Sequence, residues 1–579
     1  MMYTLGINAA YHDCAACLVR DGVVLAAAEE ERFNRVKHGK RPGPFTAWEL
    51  PWAAIDYCLG EAGILLTDVD HVAYSYDPAL FPARPAGDQL VLPLEPSAVQ
   101  RDGPDTATSP WDPLFYAYVV NARRQLVGGA PHHLQARFAD AAQDAKFTWH
   151  FVEHHLAHEA SAFLAAPFDN AAVMTLDGRG ECATTTLGAW RNGKFTRFRQ
   201  VNFPHSLGLL YEDVTRYLGF LHSCDEYKVM ALASYGKPRH LDLFRDMVLW
   251  DGDGGFALTP PRLAQHFGPA RRRGEPIEER HFDIAASLQA ALEETVLHLA
   301  GWLRETSGET KLCLAGGVAL NCVMNARLRD SGLFEQVWVQ PAAGDAGTAL
   351  GAALWIDSRK RGGPRRWRME HAYLGPSFSD AEIGEFLAWA GLPHRRLDDV
   401  AGHTAGLLAE GRIVGWFQHR MEFGPRALGA RSILASPLDA AMQGRLNALK
   451  DREDFRPVCP AVIEEAAGEW FTNAWDNGGA APFMLFVYDV PPDRAARIPA
   501  AVHVDGTARI QTVSPEHNPL YYQVLREFGR RTGVPVVINT SFNARGEPIV
   551  CTPQDAVATF YSTPLDALVI GSYLLEKRP

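Results

Sequence analysis

The chain contains no GxxxxGK[ST], no GxGxxG and no GxSxG, so P-loop, dinucleotide-binding and α/β-hydrolase chemistries lack their defining residues. No apolar run approaches the length needed to cross a bilayer. Basic residues are not in excess. Lys plus Arg is 56 against 68 Asp plus Glu, a formal net charge of −12, which argues against nucleic acid as the main partner. Cysteine is sparse and odd in number, nine in all. The one CxxC, Cys14-Ala-Ala-Cys17, has no second CxxC to complete a zinc site and sits in an expected strand, where positions three apart face opposite sides. Buried or free thiols in a reducing compartment are expected. Strand-forming residues begin at Tyr3 with no basic and apolar leader pattern before them, so a cytoplasmic location away from membranes is expected.

What is present is a soluble-type composition, 47% apolar and 21% charged, spread over 579 residues. That is too long for one core, so two or three domains are expected. Tyr3 to Asn8 and Ala15 to Arg20 read as strands, Asp21-Gly22 as a hairpin turn and Val23 to Ala28 as the returning strand. The design recurs at Ala172 to Leu176, Asp177-Gly178, Thr184 to Trp190, Asn192-Gly193 and a return through Phe198. Two such units suggest a duplicated α/β architecture. Between them, Asp77 to Pro113 is proline-rich and aperiodic, and reads as a surface insertion. Ile284 to Thr306 has helical periodicity. Ser358 to Arg368 carries six basic residues around Gly-Gly-Pro with no apolar face, and reads as a solvated linker more readily than a nucleic-acid patch.

Three groups of residues carry chemistry. The first is Glu-His154-His-Leu-Ala-His158-Glu. Positions i and i+4 share a helix face, so both imidazoles can reach one ion, whereas His155 points elsewhere. A pair alone is more often a satisfied or exposed helix face. Two glycine-flanked aspartates, Asp177 in Leu-Asp-Gly-Arg-Gly and Asp345 in Gly-Asp-Ala-Gly, complete a set suited to Fe(II) or another divalent transition metal. The second group is Lys311 to Asn321, a buried strand entering Gly316-Gly317 and a helix, a geometry that turns N–H groups toward a phosphate or nucleotide. The third lies in a further α/β region beginning near Gly411. It comprises Arg426 and Arg431 around a glycine, Lys450 with Arg452, and a strand from Val536 ending in Asn539-Thr-Ser541-Phe-Asn543-Ala-Arg545. Guanidinium forks and a compact ammonium at a strand's C-terminal end suit a polyanionic small ligand such as a nucleotide.

Taken in order, Tyr11-His12-Asp13, Glu29-Glu-Glu-Arg32-Phe, Glu153 to His158, Leu176 to Glu181, Asp225-Glu-Tyr-Lys228, Gly316 to Asn321, Gly344 to Gly347, Phe423 to Gly429 and Asn539 to Glu547 resemble the NodU/CmcH/TobZ family of O-carbamoyltransferases across nearly the whole chain. The resemblance implies an α/β protein with an actin-like (ASKHA) duplicated domain over 1–357, a linker over 358–371 and a YrdC-like α/β domain over 372–579. It implies that ATP with Mg and carbamoyl phosphate form carbamoyl adenylate in the second domain, and that the carbamoyl group then passes to a small-molecule hydroxyl acceptor at the metal site of the first. His154, His158 and Asp345 match the family's metal ligands, with Asp177 as a fourth. Lys450, Arg452, Ser541 and Asn543 resemble the YrdC set; Arg426, Arg509 and Arg545 fall where carbamoyl phosphate and nucleotide phosphates would be held. Gly316, Gly317 and Asn321 would bind the adenylate in the first domain. For the acceptor's base, His12 and then Asp225 are the candidates, although His12 could simply bond within its turn and Asp225 could pair with Lys228. The family acts on sugars, cephalosporins, aminoglycosides and macrolides, and no residue pattern here chooses among such metabolites. An actin-like-fold kinase and a tRNA threonylcarbamoyl transferase are the alternatives. The first leaves the histidine pair and C-terminal cations without a role, and the net charge counts against the second. A homodimer is allowed without any pattern demanding one.

Overall fold

The computed structural model describes residues 1–40, 50–80, 134, 137–138, 145–472 and 481–577, and every count below refers to these. The expected insertion, from residue 81 onward, lies outside them. The chain divides into two compact units, one of residues 1–34 and 38–369, the other of 35–37 and 370–579.

The first unit contains one sheet design built twice. Strands β1 (Tyr3–Asn8), β2 (Ala15–Arg20), β3 (Val23–Glu29), β4 (His71–Tyr74) and β5 (Thr148–Phe151) form a sheet in the order β3-β2-β1-β4-β5. Strands β6 (Ala171–Leu176), β7 (Ala183–Arg191) and β8 (Lys194–Asn202), followed after the small hairpin of β9 (Val248–Trp250) and β10 (Phe256–Leu258) by β11 (Lys311–Ala315) and β12 (Gln336–Val339), form the second in the order β8-β7-β6-β11-β12. In both, the first strand pairs antiparallel with the hairpin partner on one side and parallel with the crossover strand on the other. This is the duplication expected of an actin-like domain. The turn chemistry explains the hairpins, since Asp21-Gly22 and Asn192-Gly193 all have positive φ. All six residues of β6 are buried, as a strand with neighbours on both edges and covered faces requires.

Two helices place the functional residues. Helix α1 (His154–Ala165) follows β5, and the expected long helix is α2 (Glu279–Ser307). Helix α3 (Ala346–Arg361) packs on both α1 and β1. That close approach needs glycine. A Cβ at Gly351 would lie 1.8 Å from the Ala157 carbonyl oxygen, and one at Gly6 would lie 2.0 Å from that of Ala349. No side chain fits either position without moving backbone.

The basic stretch read as a solvated linker over 358–371 leaves Arg359, Lys360, Arg366 and Arg368 exposed, as a solvated segment does, while two of its arginines are tied to the fold. Ser358 to Arg361 is the last turn of α3, and Arg361 pairs with the buried Asp357 at 3.1 Å. Arg365 donates to the carbonyls of Phe163 and Phe168 at 2.9 and 2.6 Å. Local charge gives no sign of this, because the carbonyl acceptors come from about two hundred residues earlier in the chain.

At the edge of the first sheet, His150 Nε2 lies 3.1 Å from His71 Nδ1. Burial, then His71 and Lys360, bring the His150 imidazole down to about 4. An unfolded histidine titrates near 6.5, so between about 6.5 and 4 the unfolded chain binds more protons. The stability from this site is therefore present above that window and is lost as pH falls through it. The thermal midpoint should drop over that range, and less steeply in His150→Gln; equal slopes would show that the pair does not carry the effect.

The second unit holds an eight-stranded mixed sheet. Its strands are β13 (Arg395–Arg396), β14 (Val414–Phe417), β15 (Arg431–Ala435), β16 (Cys459–Ile463), β19 (Gln511–Val513), β20 (Val536–Ser541), β21 (Ala567–Ile570) and β22 (Tyr573–Glu576), in the order β13-β22-β21-β14-β15-β20-β16-β19; β17 (Val487–Asp489) and β18 (Thr507–Arg509) pair separately. Clusters of buried apolar residues cover its faces, with Phe417, Ile538 and Phe560 in one and Trp416, Val537 and Phe528 in another. The Lys450 site begins where helix α4 (Ala441–Leu449) ends.

Candidate active site

In the first unit the two predicted histidines and two predicted aspartates converge. His154 and His158 lie one turn apart on α1, and Asp345 is the residue before α3. Asp177 follows β6 directly. The two Nε2 atoms are 3.2 Å apart. Asp177 Oδ2 lies 3.5 and 3.9 Å from them, and Asp345 Oδ1 lies 3.5 and 3.6 Å. All four side chains are buried. Each carboxylate spends its other oxygen on backbone: Asp345 Oδ2 accepts the His12 N–H at 2.8 Å, and Asp177 Oδ1 accepts the Gly317 N–H at 2.7 Å. The free oxygens are thereby aimed at one centre, as outer partners orient metal ligands. Burial raises Asp345, yet His154 and His158 beside it hold it well below the usual carboxylate range. Two imidazole nitrogens and two carboxylate oxygens fit a divalent transition ion. His155 points away and bonds Thr175 Oγ1 at 2.7 Å.

The first turn of α1 is anchored from the Asp177 loop as well. Glu181, buried, accepts the His154 N–H at 3.0 Å and the Asp77 N–H at 2.7 Å. Burial pushes its carboxyl up to about 7.

Beside this centre His12 belongs to a three-residue group. Its Nδ1 lies 3.2 Å from Asp13 Oδ2, and Asp13 Oδ1 lies 2.8 Å from His38 Nδ1. The two imidazoles lie against each other with centroids 3.9 Å apart and planes tilted by 46°. Asp13 and His38 both hold left-handed backbone, with φ of 47° and 67°. Such strain persists where surroundings enforce it, commonly at functional sites. Sequence pattern does not reach His38 or the role of Asp13, because 25 residues separate them. Lys40 likewise carries no local signal. It is buried and donates to the carbonyls of Ala9 and Tyr11 at 2.5 and 2.8 Å, which fixes the same turn.

Four predicted residues of this unit have other partners. Asp225 accepts the Leu221 N–H at 3.1 Å and pairs with Lys228 at 3.1 Å. Gly317 gives its N–H to Asp177 rather than presenting it to a phosphate, and Gly316 N–H bonds the Ala343 carbonyl at 2.8 Å. Asn321 caps the helix Cys322–Asp330 by accepting the Met324 N–H at 3.0 Å, and its amide donates to Gln289 at 2.8 Å.

In the second unit the centre is Lys450. It is buried, and Nζ donates to the Ser541 carbonyl at 2.6 Å, Ser541 Oγ at 2.8 Å and Asn543 Oδ1 at 2.8 Å. Burial, then Arg452 and Arg456, bring its ammonium well below the ordinary lysine value. Arg452 donates to Asn447 at 2.6 Å. Register brings Arg509 and Arg426 to the same end of the sheet. Cys459 pairs across from Asn539, two residues before Ser541; Arg509 donates to Cys459 Sγ at 2.9 Å, and Asn539 donates to the carbonyl of Ala427, next to Arg426. Arg545 pairs with Asp451 at 2.6 Å on the surface.

Arg431 departs from expectation. It is fully buried under the Phe417 ring and donates to the carbonyls of Gln418, His419, Ala430 and Pro376. It holds a turn together instead of facing a ligand. Its position at the start of β15, pointing inward, is what the sequence alone did not show.

Fold and site together define a two-unit α/β protein with a buried His/Asp cluster in one unit and a buried cationic centre in the other. Residues 3–83 and 132–354 match the model described as carbamoyltransferase N-terminus, and residues 405–577 match carbamoyltransferase C-terminus. The chain therefore belongs to the carbamoyltransferase family and is a carbamoyltransferase of the NodU/CmcH type. It is 41% identical to nodulation protein NolNO of Sinorhizobium fredii, over 99% of this chain and 80% of that one. It is 44% identical to nodulation protein NolO of Bradyrhizobium diazoefficiens, over 74% and 79%. An uncharacterised protein of Synechocystis sp. is 41% identical over 100% and 97%. Among the described residues no helix is long and apolar enough to cross a membrane.

Proposed function

We propose that the enzyme works in two half-reactions, one in each unit. In the second unit, YrdC-like in this reading, carbamoyl phosphate and ATP with Mg give carbamoyl adenylate and pyrophosphate. Atom balance consumes one water and releases one phosphate. Lys450, with Arg452, Arg426 and Arg509, neutralises the phosphate oxygens, and Ser541 and Asn543 hold the ammonium in place between turnovers. Arg545, now paired with an exposed aspartate, has only to break a surface ion pair to join them.

In the first unit the hydroxyl oxygen of a small molecule, a secondary metabolite or antibiotic as the acceptor class, bonds to the carbamoyl carbon of the adenylate while the bond to the phosphate oxygen breaks and AMP leaves. His154, His158, Asp177 and Asp345 would hold Fe(II) or a similar divalent ion, which when bound polarises the carbamoyl carbonyl. His12 takes the acceptor's proton. Its backbone already touches Asp345, and the Asp13 carboxylate orients its ring. Asp225 is the weaker candidate because Lys228 occupies it. The observation that carries this reading is the four-residue cluster, whose donors converge while backbone N–H groups hold their outer oxygens.

The first test is incubation of the purified protein with ATP and carbamoyl phosphate but no acceptor. Mass spectrometry should find carbamoyl adenylate and pyrophosphate. ADP in their place would turn the reading toward a kinase.

A further inference from the structure

We infer that Arg197 is a positioning residue for the metal centre, gripping the back of the helix that carries both histidines. The inference rests on the metal reading above. Arg197 lies on β8 and never reaches the cluster. Its guanidinium joins two glutamates that bracket the histidine pair in sequence, Glu153 immediately before His154 and Glu159 immediately after His158. Nε and Nη2 donate to the two oxygens of Glu159 at 2.9 and 3.0 Å. Nη1 and Nη2 donate to the two oxygens of Glu153 at 2.7 and 3.0 Å. Nη1 also donates to Gln200 Oε1 at 2.7 Å. A guanidinium has five N–H donors, and here all five have an acceptor.

The placement along the helix is what gives this clamp a purpose. At about 100° per residue, His154 and His158 centre on one side of α1, and Glu153 and Glu159 centre on the opposite side. One rigid planar group bonded to both glutamates fixes the rotation and the axial position of that turn. The imidazoles on the far face inherit both. Glu159 is completely buried, so the grip is made in a low-dielectric setting where a charge-assisted bidentate pair is strong. Lysine could keep the charge but could not span both carboxylates in fixed geometry.

The test is Co(II) affinity of the full-length protein, measured by competition with a chromophoric chelator, together with the Co(II) ligand-field spectrum. Arg197→Lys should bind about 10–100-fold more weakly than wild type, with an altered spectrum. Glu153→Gln, at a half-buried position of unchanged volume, should weaken binding in the same direction and serves if Arg197→Lys does not fold. Arg245→Lys, which alters an exposed ion pair with Glu294 elsewhere in the unit, should bind as wild type does. Wild-type affinity and spectrum in both folded clamp variants would overturn the clamp, even if their thermal midpoints fell. Absence of Co(II) binding by the wild-type protein would overturn the metal reading, and the clamp with it.

Discussion

Lys450→Ala is expected to abolish carbamoyl adenylate formation while leaving transfer from supplied carbamoyl adenylate to an acceptor intact. The loss should be at least about 10²–10³-fold, the scale on which removal of one well-placed charge-stabilising donor acts. The lysine is buried against Ser541 and Asn543, and desolvation makes its charge count for more when a phosphate arrives. Folding should survive the truncation, because Ser541 Oγ already donates to Asn543 Oδ1 at 2.7 Å and keeps a partner without the ammonium. The assay separates the halves by pyrophosphate release on one side and carbamoylated acceptor on the other. A mutant equally inactive with the supplied intermediate would show that the two chemistries are not divided between the units.

Asp345→Asn should do the reverse. Asn keeps the volume and can still accept the His12 N–H, so the turn before α3 is retained. What goes is one of the two negative charges of the four-residue cluster, and its loss should cost metal affinity more than the roughly 10–100-fold of an outer-partner mutation. Metal content and carbamoyl transfer should fall together, with pyrophosphate release from ATP and carbamoyl phosphate unchanged. Stripping the wild-type protein with a chelator should give the same split, and Fe(II) should restore transfer. Unchanged metal content in the mutant would take Asp345 out of the ligand set.

Asp345 falls in a motif that the sequence itself makes legible, and the reason is its locality, whereas Lys450 beside Asp451 and Arg452 reads by itself as a surface salt bridge and takes its role from the family resemblance. An i,i+4 histidine pair names a helix face, and an aspartate among glycines names a tight turn at a strand end. The hairpins are legible for the same reason, since Asp-Gly and Asn-Gly specify their turns within two residues. The surroundings of Arg431, Gly317 and Asn321 are not legible, for the opposite reason. Each belongs to a polar motif of the right type, but burial and partners away in sequence decide its use: carbonyls including those of Gln418, Pro376 and Cys551 for Arg431, Asp177 for Gly317 and Gln289 for Asn321.

By itself, then, the amino-acid sequence determined the duplicated sheets, the residue types of both centres and the family, because these rest on short periodicities and on spacings within single turns. Only the tertiary structure decided that Arg431 is spent on backbone carbonyls, that Asp13 bridges His12 and His38, and that Arg197 reaches two glutamates 38 and 44 residues away. Hydrogen bonds are satisfied in space, and a side chain's partner across a packed interface leaves no mark on its neighbours along the chain.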